Sequence, residues 1–145
     1  MLVDPASLME SGEEIVHSRV IPENPGVLGP WPEWVAPALR SSLQEHGIES
    51  LWKHQVDFAN SAQTRTDSIL ATGTATGKTI AFNTPAITAT LNGGTVIYLS
   101  PTKALAADQL ETLNSWHVPG LRAGVYDGDT SHENRQWMRK HANYL

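Results

Sequence analysis

Along most of this chain, segments with apolar residues at helical spacing are followed by short segments with the apolar pattern of β-strands. Apolar residues at helical spacing, or helix-stop signals, predict five helices, over residues 34–46, 52–62, 79–91, 103–115 and 131–141. Short apolar or β-branched runs predict strands over residues 68–71, 95–99, 121–126 and 143–145. Because strands and helices alternate, we expect an α/β domain with a parallel sheet, helices on both of its faces and a ligand at the carboxyl ends of its strands.

Residues 1–34 differ in composition from the rest of the chain. They contain five prolines and end in GPWPEW, which predicts an extended, Pro-rich arm, although residues 15–21 have the pattern of one strand that pairs with an edge of the main sheet. The arm holds six acidic residues and one arginine, whereas residues 35–145 hold nine acidic and nine basic residues. The net charge of −5 therefore belongs to the arm, and the neutral remainder can still bind a phosphate backbone weakly and in a salt-sensitive way.

The amino-acid composition narrows the classes of protein to which this chain can belong. A chain of 145 residues that is 40% hydrophobic and 17% charged is typical of one ordinary globular domain. It has no cysteine, which excludes disulfides and thiolate metal sites, and its six histidines show no ligand spacing. No apolar run has the length of a membrane helix, and the N-terminus lacks the pattern of a signal peptide, so we expect a cytoplasmic protein.

The stretch ATGTATGKT, residues 71–79, is the clearest candidate for ligand binding. It lies between a predicted strand and a predicted helix, as a P-loop does, so that backbone N–H groups can surround a phosphate. Gly77 lets the main chain approach the anion, Lys78 meets the terminal phosphates, and the Thr79 hydroxyl binds Mg²⁺. The general pattern has glycine where this chain has Thr72. The alternative is a Gly/Thr-rich turn with a solvated lysine.

Four segments, LWKHQ, ATGTATGKT, YLSPTKALAADQL and YDGDT, resemble the front half of the first RecA-like domain of superfamily 2 DEAD/DEAH-box helicases. The sequences of these segments are most similar to those of the RecQ-related DNA repair helicases, a subgroup whose P-loop pattern Thr72 fits. The resemblance covers roughly residues 35–145. It implies an incomplete RecA-like P-loop domain after the arm, with ATP and Mg²⁺ as cofactors and single-stranded or partly duplex DNA as partner, RNA not being excluded.

The resemblance also assigns residues to the nucleotide. The loop Thr72, Gly73, Thr74, Ala75, Thr76 and Gly77 would hold the phosphates, with Lys78 and Thr79 as the catalytic residues and Thr79 as the magnesium ligand. Gln55, 23 residues before Lys78, matches the Q-motif glutamine that hydrogen-bonds adenine; an isolated glutamine would more often be a solvated helix residue. Trp52, one turn earlier, would either stack on the base or fill the core.

Two further segments match regions that contact nucleic acid in that family. Pro101, Thr102 and Lys103 match motif Ia, where a helix N-terminus, a hydroxyl and an ammonium meet one phosphate, although Thr102 is equally a plain helix cap. Gly128 and Asp129 match the GD-containing segment that lies near the nucleic acid in that family, although DGD is also a common surface turn. We expect Arg135, Arg139 and Lys140 to be solvated helix charges.

No DExH box follows the P-loop in these residues, and the second RecA-like domain with its arginine finger is not among them. We therefore expect a fragment of an ATP-dependent DNA helicase that by itself does not hydrolyse ATP or unwind DNA. One alternative is a stand-alone P-loop ATP-binding module that regulates or docks onto a partner, without a nucleic-acid role. The other is a non-functional truncated product with an exposed apolar sheet edge.

Overall fold

The computed structural model describes residues 16–17 and 26–145. Within these residues the chain forms five helices and two short strands: β1 (Leu28–Gly29), α1 (Pro37–Glu45), β2 (Leu51–Trp52), α2 (Lys53–Gln63), α3 (Lys78–Leu91), α4 (Lys103–Ser115) and α5 (His132–His141). All five predicted helices are confirmed, each close to its predicted bounds. Most of the strand predicted at 15–21 lies outside the described residues. Within the described part of the chain, no helix is both long and apolar enough to cross a membrane.

Local signals explain where the helices begin. Pro37 stands in the first turn of α1, where its missing N–H costs nothing, and the Thr102 and Ser131 side chains cap α4 and α5. Pro85 lies inside α3, yet the helix is continuous from Lys78 to Leu91. Packing supports α3 at this point, because Pro85 itself and much of the helix are buried.

The sheet differs most from the prediction. The one ladder in the described residues is antiparallel and joins β1 to β2, with Leu28 opposite Trp52 and Gly29 opposite Leu51. Parallel pairing in the described part of the chain is limited to two isolated bridges, in which Tyr144 lies between Val96 and Ala123. Backbone hydrogen bonds from Val96 N–H to the Asn143 carbonyl (2.9 Å) and from Gly124 N–H to the Tyr144 carbonyl (3.0 Å) hold these segments together.

Two predicted strands lack the cover that their apolar residues led us to expect. Residues 68–71 form no strand, because a strand requires a ladder partner and no described segment pairs with them; Ile69 is 95% exposed. The prediction that residues 95–99 are covered on both faces is also wrong. Val96 and Tyr98 face inward, whereas Ile97 and Leu99 on the opposite face are exposed.

The core lies between α1, α3 and the segments around Trp116 and Tyr144. Its buried residues include Leu39, Leu43, Ile87, Leu113, Trp116, Val118 and Tyr144. The Tyr144 hydroxyl donates to Asn83 Oδ1 at 2.7 Å, and burial raises the pKa of this phenol, so that it remains a neutral donor. These contacts fix α3, whose first turn carries the P-loop lysine.

The described part of the arm packs against the ends of α2. The Val27 carbonyl accepts the Lys53 N–H at 2.7 Å, and Trp34 Nε1 donates to Asn60 Oδ1 at 2.9 Å. Trp31 Nε1 donates to the Glu49 carbonyl at 2.8 Å. Residues 26–34 are thus attached to the same helix that begins beside the P-loop.

Candidate functional site

Gly77 shapes the end of the P-loop. It is the residue before α3 and has a left-handed φ of +73°, which strains residues other than glycine, and a Cβ at this position would lie 2.3 Å from Gln55 Nε2 and displace that amide. The helix begins at once, because Ile80 N–H donates to the Gly77 carbonyl at 3.1 Å. The first N–H groups of α3, which have no partner within the helix, therefore face the loop.

Threonine side chains tie the loop together. Thr72 and Thr76 join their hydroxyls at 2.6 Å, and Thr76 Oγ1 also donates to the Gly73 carbonyl at 3.1 Å. The departure of Thr72 from the general glycine pattern thus has a physical basis, since its hydroxyl closes the loop. Thr74 and Ala75 at the tip are exposed, and Ala75 takes a left-handed φ of +57°.

Lys78 reaches back over this loop. Its ammonium donates to the Thr72 carbonyl at 3.1 Å and to the Gly73 carbonyl, and the residue is half-buried. Two backbone carbonyls therefore hold a positive charge beside the helix N-terminus. An anionic phosphate offers a stronger acceptor than a neutral carbonyl, so the arrangement suits exchange of these partners for a phosphate.

Thr79 fits a magnesium ion delivered with phosphates. It follows Lys78 in the first turn of α3, and both residues line a cavity of about 440 Å³ that Asp108 of α4 also borders. Among residues 16–17 and 26–145, no cluster of three His, Asp or Glu side chains is arranged to hold a metal. Mg²⁺ commonly combines one or two protein oxygens with substrate phosphates and water, which is the kind of site that one hydroxyl can serve.

Gln55 lies next to the P-loop, as its match to the Q-motif implies, but it contacts the protein backbone. Its Oε1 accepts the Trp52 N–H at 2.9 Å, as a glutamine in a capping box does, and its Nε2 donates to the Gly77 carbonyl at 3.0 Å. It is 2% exposed, so the alternative of a solvated helix residue is wrong. The adenine contact stays a prediction, and it would have to use the second N–H or lone pair of the amide.

His54 is a site residue that the sequence patterns missed. Its Nε2 lies 3.0 Å from the Thr76 carbonyl, which can only accept, so the ring nitrogen is the donor. The single available signal was its place beside Gln55 in LWKHQ.

Trp52 neither fills the core nor lies fully free. It is 38% exposed, and its ring packs against Gly26 of the arm, where an added Cβ would come within 2.8 Å of the ring. Stacking on a base stays a prediction for the part of the ring that is open.

The two predicted nucleic-acid segments lie side by side. Thr102 Oγ1 accepts the Leu105 N–H at 3.2 Å, so the capping role is present whatever else Thr102 does. The Lys103 ammonium forms an ion pair with Asp129 Oδ2, and both side chains are largely exposed. Pro101 and Gly128 are exposed beside them, and a Cβ at Gly128 would meet open space.

Asp127 organises the turn that presents Asp129. Its Oδ1 accepts the N–H groups of Asp129 (2.9 Å) and Thr130 (3.1 Å). The hydrogen bond from the Asp129 N–H lowers the pKa of this carboxyl below its usual value, with smaller help from Thr130 and Lys103 against some desolvation.

Arg135 was predicted to be a solvated charge, and this is wrong. Its guanidinium donates to the Thr130 and Asp127 carbonyls, each at 2.8 Å, and so braces the turn from α5. Arg139 is exposed and donates to the Tyr126 hydroxyl at 3.0 Å, while Lys140 is exposed, as expected.

Comparison with known proteins gives consistent matches. The family model described as DEAD/DEAH box helicase matches residues 52–145. The Bacillus subtilis (strain 168) protein named uncharacterized ATP-dependent helicase YprA is 32% identical over 96% of this chain and 19% of its own length. The Saccharomyces cerevisiae ATP-dependent helicase HRQ1 is 36% identical over 67% of this chain and 10% of its own, and the Thermococcus kodakarensis ATP-dependent DNA helicase Hel308 is 33% identical over 63% and 8%.

Solved structures agree with these relatives. A crystal structure of the DUF1998 helicase MrfA bound to DNA superimposes with a TM-score of 0.80 at 31% identity, covering 96% of this chain and 20% of that one. A second, of MrfA bound to DNA and AMPPNP, has a TM-score of 0.73 at 33% identity, covering 82% and 17%. The chain thus spans about a fifth or less of the length of these relatives. The predicted resemblance, including its link to DNA repair-type helicases, is confirmed.

Proposed function

Because this chain belongs to the DEAD/DEAH-box helicase family, we propose that it supplies the nucleotide-binding loop and part of the DNA-binding surface of an ATP-dependent DNA helicase. ATP with Mg²⁺ is bound by residues 72–79, with the phosphates on the loop N–H groups and on Lys78, and the metal on Thr79. Hydrolysis and unwinding by the protein as a whole are part of the same proposal. These 145 residues alone bind ATP without turning it over.

The observation that carries the ATP site is the arrangement at the start of α3. A left-handed Gly77, a free helix terminus and a half-buried ammonium held by neutral carbonyls meet within one loop. Each is a feature that stabilises a bound phosphate, and together they match what a triphosphate requires.

The DNA surface is proposed at Thr102 and Lys103 with the neighbouring turn at 128–129. The helix N-terminus of α4, a hydroxyl and an ammonium are in reach of one backbone phosphate. DNA is chosen over RNA because solved structural neighbours are described as bound to DNA.

Titration calorimetry with Mg-ATP tests the nucleotide site. Lys78→Ala removes the ammonium, and we expect at least about a tenfold loss of affinity, since charge-assisted hydrogen bonds contribute about 1.5–3 kcal/mol each. Lys53→Ala is the matched control, because Lys53 is an exposed lysine that pairs with Asp57 and makes no contact with the loop. Equal affinities for wild type and Lys78→Ala would contradict the proposal.

Fluorescence anisotropy with a labelled single-stranded oligonucleotide tests the DNA surface. We expect weak binding at low salt that falls steeply as salt is added, and a further loss in Lys103→Ala. Absence of binding at low salt would instead favour the stand-alone ATP-binding module.

A further inference from the structure

We propose that His54 is a positioning residue of the P-loop: together with Gln55 it fixes two consecutive peptide planes so that their N–H groups point at the bound phosphates. The inference rests on the proposed ATP site. This role of His54 differs from an adenine contact, because it acts on the phosphate end of the nucleotide. It should therefore affect the binding of every nucleotide equally, whatever its base.

Two neighbouring residues of α2 bind two neighbouring carbonyls of the loop. His54 Nε2 donates to the Thr76 carbonyl at 3.0 Å, and Gln55 Nε2 donates to the Gly77 carbonyl at 3.0 Å. Gln55 is itself held in place, since its Oε1 accepts the Trp52 N–H at the start of the helix. The first turn of α2 thus acts as a fixed template against which the last two peptides of the loop are aligned.

The geometry of a trans peptide converts this alignment into a direction for the N–H groups. The described residues contain no cis peptide bond, so each C=O and the N–H that follows it point in opposite directions. Holding the Thr76 carbonyl on His54 turns the Gly77 N–H away from α2. Holding the Gly77 carbonyl on Gln55 does the same for the Lys78 N–H, and both N–H groups then face the loop interior.

Gly77 shows how closely the parts fit. Its left-handed φ lets the two carbonyls reach adjacent donors, and the gap to Gln55 leaves no room for a Cβ. Without the His54 bond, the 76–77 peptide would be free to rotate about its flanking dihedrals, and a phosphate would have to order it on binding. Pre-ordering of this kind raises affinity without any direct contact between His54 and the ligand.

Binding of Mg-tripolyphosphate, Mg-ATP and Mg-GTP to the purified protein provides the test. His54→Ala and His54→Phe both lose the donor, and the second keeps an aromatic ring of similar size. We expect both to weaken all three ligands by about the same three- to tenfold factor, the range expected for one net hydrogen bond. His54→Gln, whose amide N–H can reach the same carbonyl, should restore most of the affinity, and Lys53→Ala should not change it.

A direct readout separates positioning from general stability. In wild type, the amide NMR signals of Gly77 and Lys78 should shift on addition of tripolyphosphate, and in His54→Phe the shift of Gly77 should shrink at equal occupancy. Measurements are made well below each variant's unfolding midpoint, so that a lower midpoint alone leaves them unchanged. Unaltered tripolyphosphate affinity in the two donor-free variants overturns the inference, as does a loss confined to ATP. If wild type binds none of the three ligands, the proposed function itself fails.

Discussion

The N-termini of α3 and α4 are built from the same parts and differ in what holds the lysine. Each helix has its lysine as the first residue, Lys78 after Gly77 and Lys103 after Thr102. The Lys78 ammonium rests on two neutral loop carbonyls and is half-buried, whereas the Lys103 ammonium is exposed and paired with the Asp129 carboxylate.

Under the proposed function, this difference would make the Lys78 loop a prepared anion site and the Lys103 site one that is already neutralised. A carbonyl leaves the charge of Lys78 unbalanced, so a phosphate gains full attraction in a partly desolvated place. In the proposed DNA-binding role, a phosphate at Lys103 would have to displace a carboxylate, and salt would screen both the ion pair and that contact. We therefore expect nucleotide binding to be tight and to depend little on salt. DNA binding is expected to be weak and to depend strongly on salt.

Replacing Gly77 by alanine should have the largest effect on the difference between the α3 and α4 sites. The added Cβ collides with Gln55, and a non-glycine residue at φ +73° costs about 1–3 kcal/mol of folding free energy. We expect Gly77→Ala to abolish measurable Mg-ATP binding and to lower the thermal unfolding midpoint. Gly128→Ala at the α4 site is the control, since its Cβ meets open space, and it should change neither quantity. Retention of ATP affinity within twofold would show that the loop tolerates the side chain.

The helices and the loop could be predicted because their signals are local. Leu39 and Leu43 repeat at helical spacing, Thr102 is a good cap, and the Gly77-Lys78-Thr79 sequence carries its own chemistry. The position of Gln55 near the nucleotide loop was implied by its match to the Q-motif, although the group that it binds is a backbone carbonyl.

The sheet and the charge pairing could not be predicted because they depend on partners distant in sequence. Residues 68–71 have a strand-like composition, but composition does not say which segment supplies the ladder. In the same way, Lys103 and Asp129 are 26 positions apart, and nothing in either segment indicates that the carboxylate lies on the ammonium. The contact of His54 with the loop could not be predicted either, because a single hydrogen bond to a backbone carbonyl requires no sequence motif.

Thr102→Ala tests whether the α4 terminus is more than a capped helix. Loss of the cap should cost about 1 kcal/mol of folding free energy. Ser131→Ala is a matched control, because Ser131 caps α5 with the same geometry, accepting the Asn134 N–H at 3.2 Å. Both variants should lose similar stability in urea unfolding, and only Thr102→Ala should also weaken single-stranded DNA binding. Equal DNA affinity in the two variants would reduce Thr102 to a cap.

Asp129→Asn tests the neutralisation of Lys103 directly. Removing the carboxylate frees the ammonium for a phosphate, and an exposed ion pair contributes about 0.2–1 kcal/mol, so we expect DNA affinity at low salt to rise by about 1.4- to fivefold. Asp57→Asn frees Lys53 from a comparably exposed pair on α2 and should leave DNA binding unchanged. A fall in affinity for Asp129→Asn would mean that the carboxylate positions Lys103 for DNA.

The smallest expected effect concerns the Asp127 turn, which holds Asp129 beside Lys103. Its pKa is lowered in the folded protein, chiefly by the Asp129 N–H, so the ionised form stabilises the turn above the ordinary pKa of 3.8. That contribution is lost as the pH falls through the lower, folded-state pKa. The carboxyl should therefore titrate with an NMR midpoint below 3.8, and Thr130→Val, which deletes the hydroxyl donor at 3.1 Å, should raise that midpoint. Because Lys78 is held by carbonyls and not by the Asp127 turn, Asp127→Asn, which imitates the protonated carboxyl at neutral pH, should weaken DNA binding slightly and leave Mg-ATP affinity unaffected, whereas a parallel loss of both affinities would show that the two lysine sites are coupled.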